Sequence, residues 1–300
     1  MTDSGVSAVV VNYNAREHLL ECVRSLRTEG VSDIVVVDNG STDGSEEALR
    51  RVEPDTVWLP SGSNLGYGSG ANRGAAKASG DLLLVCNADV VVEPGSVKAL
   101  AGTMEADEGL AIVGPRIEDT AGEVYPSPRT FPDLGVALGH AFLGLVSPAN
   151  RFTRRYRMLD WDHGPSSSVD WVSGACFLVR RTAWESLGGF DEAYFMYVED
   201  VDLCWRAARA GWRVGFEPAA RVLHVQGVST DLAPYHMIVE HHRSLLRFSW
   251  RSTTGPRRAL LPLVWVGLAA RAALACAHRA LQSRHARTGG TRSGHRHRAR

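Results

Sequence analysis

Along this chain, short unbroken apolar runs alternate with stretches of helical rhythm, and each run ends on amides, carboxylates or glycines. Val6-Ser7-Ala8-Val9-Val10-Val11 gives way to Asn12-Tyr13-Asn14, which predicts a buried strand delivering a polar loop. Over residues 15–28, Leu19, Cys22, Val23 and Leu26 recur on one helical face. Ile34-Val35-Val36-Val37 predicts a second buried strand, ending on Asp38-Asn39-Gly40-Ser41-Thr42-Asp43-Gly44, a loop of turn formers and N-cap residues for a helix over 45–52. Strand, helix, strand, loop, helix opens a doubly wound sheet. The expected fold class is therefore α/β with a mostly parallel central sheet.

Val57-Trp58-Leu59 predicts a short third strand. The glycine-rich run from Asn64 through Gly66 and Asn72 to Gly74 leads into a helix over 70–78. Glycine at that density allows close backbone approach to a ligand, but a flexible loop or tight helix packing explains it as well. The full dinucleotide fingerprint is absent. Leu82-Leu83-Leu84-Val85-Cys86-Asn87-Ala88-Asp89-Val90 reads as a buried strand carrying an amide and a carboxylate to the sheet rim. Asp89 is either a cap or part of a site. A helix over 94–106 with Pro94 in its first turn and a strand at 111–113 follow.

Residues 114–170, rich in Pro, Gly and aromatics, predict an irregular insertion over a site. A strand over 169–179 carries Gly174 where a bulge or close ligand is expected. Glu199, Asp200 and Asp202 open a helix over 199–210; the dipole favours acids there, yet crowding three of them calls for a cation or an arginine nearby. Two short strands, 213–216 and 221–225, end near His224, a lone histidine of the kind that is more often structural than a ligand. A helix over 235–250 carries His236, His241, His242, Arg243 and Arg247.

Charge changes the picture at the C-terminus. The formal net charge is zero, but residues 241–300 hold 13 Arg and no Asp or Glu, leaving 20 basic against 33 acidic side chains before them. Within 259–280 the longest charge-free run is about twelve residues, 259–270, against the roughly 20 needed to cross a bilayer. An interfacial helix with an anionic membrane surface as partner is expected, followed by a disordered basic tail over 284–300. The tail lacks aromatics interleaved among its arginines, so no nucleic-acid partner is expected. Five scattered cysteines without a Cys-x-x-Cys pair fit a reducing compartment and exclude a visible zinc framework. The N-terminus shows no secretion signal. These features divide the chain into a globular region, 1–250, an expected membrane-associated segment, 251–283, and the tail.

Three polar loops, 12–14, 38–43 and 87–89, should emerge together at the carboxyl edge of such a sheet. Carboxylates for a base or ribose, and one for a hard cation shared with phosphate oxygens, suit a nucleotide-diphospho compound. No Walker A lysine motif is present, which disfavours that type of phosphoryl transfer.

These residues resemble the inverting family-2 glycosyltransferases of GT-A fold, through Val9-Val10-Val11-Asn12-Tyr13-Asn14, Val37-Asp38-Asn39-Gly40-Ser41-Thr42-Asp43, Asn64-Leu65-Gly66-Tyr67, Asn87-Ala88-Asp89, Gly188-Gly189-Phe190-Asp191 and Glu199-Asp200-Val201-Asp202-Leu203. Within the family, Val124-Tyr125-Pro126-Ser127-Pro128-Arg129, Trp171-Val172-Ser173-Gly174-Ala175-Cys176 and Tyr194-Phe195-Met196-Tyr197 look like the actinobacterial rhamnosyltransferases that act on polyprenyl-diphospho-GlcNAc in cell-wall linker assembly.

The resemblance implies a nucleotide-sugar donor, dTDP-rhamnose, held by Asp38, Asn12, Asn64, Gly66, Asn72 and Asn87. It implies Mg2+ or Mn2+ on Asp89, with His224 as a further ligand and Asn87 in place of the motif's first aspartate. Asp200 matches the general base, with Glu199 as the alternative base or an orienter of the acceptor sugar; Asp202 is expected to hold Arg206. Trp171 and Gly174 are expected to floor the acceptor site, with His236 and Arg243 meeting the acceptor's diphosphate. The enzyme would work as a peripheral protein on the cytoplasmic face of the plasma membrane. A UDP-sugar or galactofuranose donor, and a non-catalytic membrane scaffold, stay open at this point.

Overall fold

A computed structural model describes residues 5–131, 150, 154, 166–228 and 232–290. It divides the chain into two units, Met1–Leu232 and Ala233–Arg300, so the helix carrying His236 and Arg243 goes with the C-terminal segment and not with the first 232 residues.

The first unit is built on a ten-stranded sheet. Its elements are β1 (Val6–Asn12), α1 (Arg16–Thr28), β2 (Asp33–Asp38), α2 (Ser45–Val52), β3 (Val57–Pro60), α3 (Tyr67–Ala75), β4 (Leu82–Asn87), β5 (Val90–Val92), α4 (Ser96–Ala106), β6 (Leu110–Glu118), β7 (Val124–Tyr125), β8 (Ser167–Val169), β9 (Cys176–Arg180), α5 (Arg181–Leu187), α6 (Glu199–Arg209) and β10 (Arg213–His224). The main strand order is β3-β2-β1-β4-β9-β6-β10-β5. β3, β2, β1 and β4 run parallel, as the alternating pattern predicts. Beyond β4 the sheet is mixed: β9 inserts antiparallel between β4 and β6, and β5 pairs antiparallel with β10.

Burial explains why the parallel half reads as continuous apolar sequence. All seven residues of β1 are buried, because helices cover both faces of its part of the sheet. The face of α1 is the one its spacing predicts, with Leu19, Cys22, Val23 and Leu26 buried. Most glycines of α3 serve tight packing rather than a phosphate cradle. A Cβ on Gly74 would lie 2.3 Å from Val9 Cγ1, and one on Gly70 would lie 3.1 Å from Val11 Cγ1.

Four local departures from the sequence pattern matter for the site. The run 82–90 is two strands broken by a turn at Ala88-Asp89. α4 starts at Ser96 with Gly95 as its N-cap, so Pro94 precedes the helix and Asp89 does not cap it. The stretch expected as one strand over 169–179 is β8, an isolated bridge at Trp171 and then β9, with a turn at Gly174. Conversely β10 is a single strand where two were expected, with a register irregularity between Glu217 and Arg221.

In the second unit, α7 (Pro234–Ser252) and a short 3-10 helix (Gly255–Leu260) lead into α8 (Leu261–Gly290). Trp250 and Trp265 meet with ring centroids 5.9 Å apart, and Trp265 Nε1 donates to Ser249 Oγ at 3.3 Å. The segment Gly255–Leu281 is long and apolar enough, by length and composition, to cross a membrane. Leu261, Val264 and Leu268 are buried, whereas Leu263 (69%), Val266 (70%) and Leu274 (59%) are exposed and share the other face of the helix. The backbone of α8 includes the first seven residues of the expected tail; residues 291–300 lie outside the described residues.

Candidate active site

Register sets the site. Asn12 is paired with Asp38 across β1 and β2, and Val11 with Asn87 across β1 and β4, so the predicted polar loops leave the sheet side by side. Asn12, fully buried, donates from Nδ2 to Asp38 Oδ1 (2.9 Å) and Ser41 Oγ (3.0 Å). Ser41 N donates to Asp38 Oδ2 at 3.0 Å, and Ser41 Oγ accepts from Asn14 N at 2.9 Å. Asn12 Oδ1 and Asn39 Oδ1 are buried acceptors with no hydrogen-bond partner. They leave this pocket with acceptor capacity for the N–H or O–H of a ligand.

The glycine-rich run supports that pocket through its backbone. Asn64 Oδ1 accepts from Gly66 N (3.0 Å), and Asn39 Nδ2 donates to Gly66 O (3.0 Å). Gly66 has φ +87°, and a Cβ there would lie 2.2 Å from Phe195 O, so only glycine fits. Asn72, expected in the donor pocket, has another task. Its Oδ1 accepts from Phe190 N (2.9 Å) and its Nδ2 donates to Phe190 O (2.9 Å) and Glu192 Oε1 (3.0 Å), which ties α3 to the 190 loop and occupies the amide.

At the β4–β5 turn, Asp89 Oδ1 stands 3.2 Å from His224 Nε2, and Asn87 Nδ2 stands 3.3 Å from the same nitrogen. The antiparallel pairing of Val90 with His224 produces this meeting of residues far apart in sequence. A carboxylate and an imidazole facing one point fit a divalent cation of the Mn2+ type. Among the described residues no group of three or more His, Cys, Asp or Glu gathers to hold a metal. Two protein ligands suit a cation whose remaining positions belong to substrate phosphates and water.

The third part is the acidic start of α6, reached through two consecutive non-glycine residues with positive φ, Tyr197 (67°) and Val198 (70°). Asp200 Oδ2 accepts from Gly174 N and Oδ1 from Val201 N, each at 2.8 Å. Burial raises its pKa above the ordinary aspartate value, and those N–H groups together with the charge of Arg129 offset part of that rise. Glu199, 5% exposed, has an Oε2 without a hydrogen-bond partner. Burial first, and the neighbouring Asp200 charge second, push it up to about 8. At neutral pH the pair therefore divides its roles: Asp200 is the better candidate for the ionised base and Glu199 for the neutral partner. Asp202 holds Arg206 at 2.7 Å, as its spacing predicts, and Arg206 also donates to Leu187 O and Gly189 O.

Trp171, expected as a floor for the acceptor, is only 5% exposed and donates from Nε1 to Thr130 O at 3.1 Å. Its ring lies against the Arg129 guanidinium, 4.9 Å from centroid to Cζ, with Tyr125 also stacking at 5.2 Å. Arg129, which the sequence pattern marked only as part of a motif, also donates to Pro126 O at 2.7 Å and to Tyr125 Oη at 2.8 Å. Gly174, expected beside Trp171 in the acceptor floor, lies against Asp200: a Cβ would sit 3.1 Å from Asp200 Cβ. His236 and Arg243 are on α7 in the second unit, where Arg243 Nη1 donates to Glu240 Oε1 at 2.8 Å. Asn39 and Ser41 join the predicted residues in the pocket at Asp38, and each falls inside a stretch that reads as significant.

Paired polar loops, an Asp–His point and a buried carboxylate pair stand at the rim of a mixed sheet, and the fold is that of the GT-A glycosyltransferases. Comparison supports the class. A mannosyltransferase from Pyrobaculum calidifontis in complex with GDP-Man and Mn2+ superposes with TM-score 0.57 at 18% identity, over 94% of this chain and 79% of that one. GalNAc-T7 with UDP, GalNAc and Mn2+ superposes with TM-score 0.55 at 16% identity, over 73% and 43%. Residues 7–187 match the family model for glycosyl transferase family 2, and the chain belongs to that family. The N-acetylglucosaminyl-diphospho-decaprenol L-rhamnosyltransferase of Mycobacterium tuberculosis is 40% identical over 280 residues, 88% of this chain and 89% of that protein.

Proposed function

We propose that this glycosyltransferase moves L-rhamnose from dTDP-rhamnose, with inversion, onto a polyprenyl-diphospho-GlcNAc acceptor. The observation that carries the reading is the convergence of Asp38, Asp89 with His224, and Asp200 on one sheet edge, in a chain 40% identical to a rhamnosyltransferase over nearly the length of both.

Asn12 and Asp38 receive the nucleoside, and the backbone around Gly66 closes the pocket. Asp200 takes the proton from the acceptor hydroxyl as that oxygen bonds to the anomeric carbon and the sugar–diphosphate bond breaks. The N–H groups of Gly174 and Val201 keep its carboxylate ionised and aimed. Asp89 and His224 are the residues that hold Mn2+ or Mg2+. That cation, when bound, neutralises charge on the departing diphosphate. The exposed apolar face of α8, together with 13 arginines and no acid over residues 241–300, fits an anionic bilayer. On this reading the enzyme is peripheral at the cytoplasmic face, and His236 and Arg243 serve the lipid-linked diphosphate.

The test is a donor screen on the full chain with a lipid-diphospho-GlcNAc acceptor, with Mn2+, with Mg2+ and with chelator. Metal-dependent transfer from dTDP-rhamnose in preference to UDP-sugars is expected. Preference for a UDP-sugar or a galactofuranose donor would reassign the donor within the same fold, and no transfer from any donor would reject the reading.

A further inference from the structure

Tyr67 opens α3, away from any role assigned so far, yet it touches both segments that deliver the catalytic carboxylate. Its hydroxyl is buried and donates to Gly174 O at 2.6 Å. Gly174 N in turn donates to Asp200 Oδ2 at 2.8 Å. The turn is pinned further where Asn87 N donates to Ala175 O at 2.9 Å. On its other side, Tyr67 N donates to Phe195 O at 3.0 Å, two residues before the strained Tyr197-Val198 pair that leads into α6. The preceding residue, Gly66, is held from the nucleotide loop by Asn39 Nδ2 at 3.0 Å. A continuous set of hydrogen bonds thus runs from the residue beside Asp38 to the carboxylate of Asp200.

We propose that Tyr67 is a positioning residue for the general base, its phenol fixing the Gly174 turn whose N–H aims the Asp200 carboxylate and linking that carboxylate to the nucleotide pocket. The proposal rests on the glycosyl-transfer reading given above. A tyrosine in a hydrophobic contact alone would not need its hydroxyl. The Tyr67 ring does pack on Phe190, 5.8 Å between centroids, so the ring and the hydroxyl have separable tasks. Gly174 approaches closely because it lacks a side chain: a Cβ there would stand 3.1 Å from Asp200 Cβ, so the Asp200 side chain would have to give way.

The charged and titratable groups facing Asp200 are Glu199 on its own helix, Arg129, Tyr67 and Cys204. Tyr67 and Cys204 are themselves held neutral by burial. Loosening the Gly174 turn weakens an N–H bond that favours the ionised carboxylate. Asp200 then stays protonated to a higher pH, and the acid limb of the pH–rate profile moves upward.

The experiment compares the full chain with Tyr67→Phe, which keeps the ring, and Gly174→Ala, which displaces the carboxylate directly. Tyr67→Phe should lower kcat by about 10- to 100-fold, the scale of a displaced catalytic group, leave KM for the donor within about 2-fold, and move the acid limb up. Gly174→Ala should move the limb in the same direction. An unchanged limb in both variants, whatever happens to thermal stability, would overturn the proposal. If the wild type transfers no sugar from any donor, the functional reading fails. The positioning proposal is then decided by 13C-carboxyl NMR titration of Asp200, assigned with Asp200→Asn: a higher midpoint in Tyr67→Phe supports it and an unmoved midpoint overturns it.

Discussion

Glu199→Gln isolates the consequence of burying two carboxylates side by side. Glu199 is 5% exposed, its Oε2 has no hydrogen-bond partner, and burial together with the Asp200 charge moves it from 4.5 up to about 8. The unfolded chain ionises this group near its ordinary value, whereas the folded chain does not. Its contribution to stability is therefore complete below about pH 4.5 and is lost as pH rises through about 8. Each pH unit in that window costs the native state ~1.4 kcal/mol relative to a neutral side chain. From pH 5 to 8 the sum is at most about 4 kcal/mol, and sharing of the titration with Asp200 brings it to roughly 2–4 kcal/mol. Glutamine keeps the shape and cannot ionise. Urea unfolding followed by tryptophan fluorescence should show the variant gaining on the wild type by that amount between pH 5 and 8. A stability difference that is flat with pH, or that grows toward low pH, would refute the reasoning. The same variant should keep most of its kcat at neutral pH, since the residue it replaces is already uncharged there.

Asp200→Asn should lower kcat by 10²- to 10⁴-fold while leaving donor affinity, measured by calorimetry, nearly unchanged; comparable activity would remove Asp200 as the base. Asp89→Ala and His224→Ala should each weaken Mn2+ binding, read by electron paramagnetic resonance with the nucleotide diphosphate present, and unaltered Mn2+ affinity in both would dismiss the pair as ligands. Leu263→Glu combined with Val266→Glu should reduce sedimentation with anionic vesicles by at least 10-fold, because burying each such side chain is worth ~1.5–3 kcal/mol; undiminished binding would take α8 off the membrane. Gly66→Ala should destabilise the fold by more than ~1 kcal/mol, since it combines φ +87° with a Cβ 2.2 Å from Phe195 O, and a melting temperature equal to wild type would contradict that geometry.

The parallel half of the sheet was legible because strands buried on both faces leave unbroken apolar runs, and the loops at their ends carry Asn12, Asp38 and Asn87 in plain view. The antiparallel insertion of β9 was not legible, since a buried run gives no sign of its direction. Nor was the break at Ala88-Asp89, where two small or polar residues interrupt an otherwise strand-like stretch only because β5 must turn to meet β10. His224 looked structural by itself, and strand pairing over more than a hundred residues brings it to Asp89. Asn72 and Trp171 belong to stretches of functional appearance, and the hydrogen bonds they make to Phe190, Glu192 and Thr130 leave no local pattern either. Tyr67 was hidden because a hydroxyl aimed at a carbonyl 107 residues away leaves no local pattern.

The central claim is that this site performs an inverting rhamnosyl transfer with Asp200 as base. It is tested most directly by incubating the full chain with dTDP-β-L-rhamnose, Mn2+ and polyprenyl-diphospho-GlcNAc and determining the anomeric configuration of the product by NMR. A single α-L-rhamnosyl linkage to GlcNAc is expected, absent with Asp200→Asn. A β linkage, or undiminished product from the Asp200→Asn variant, would contradict it.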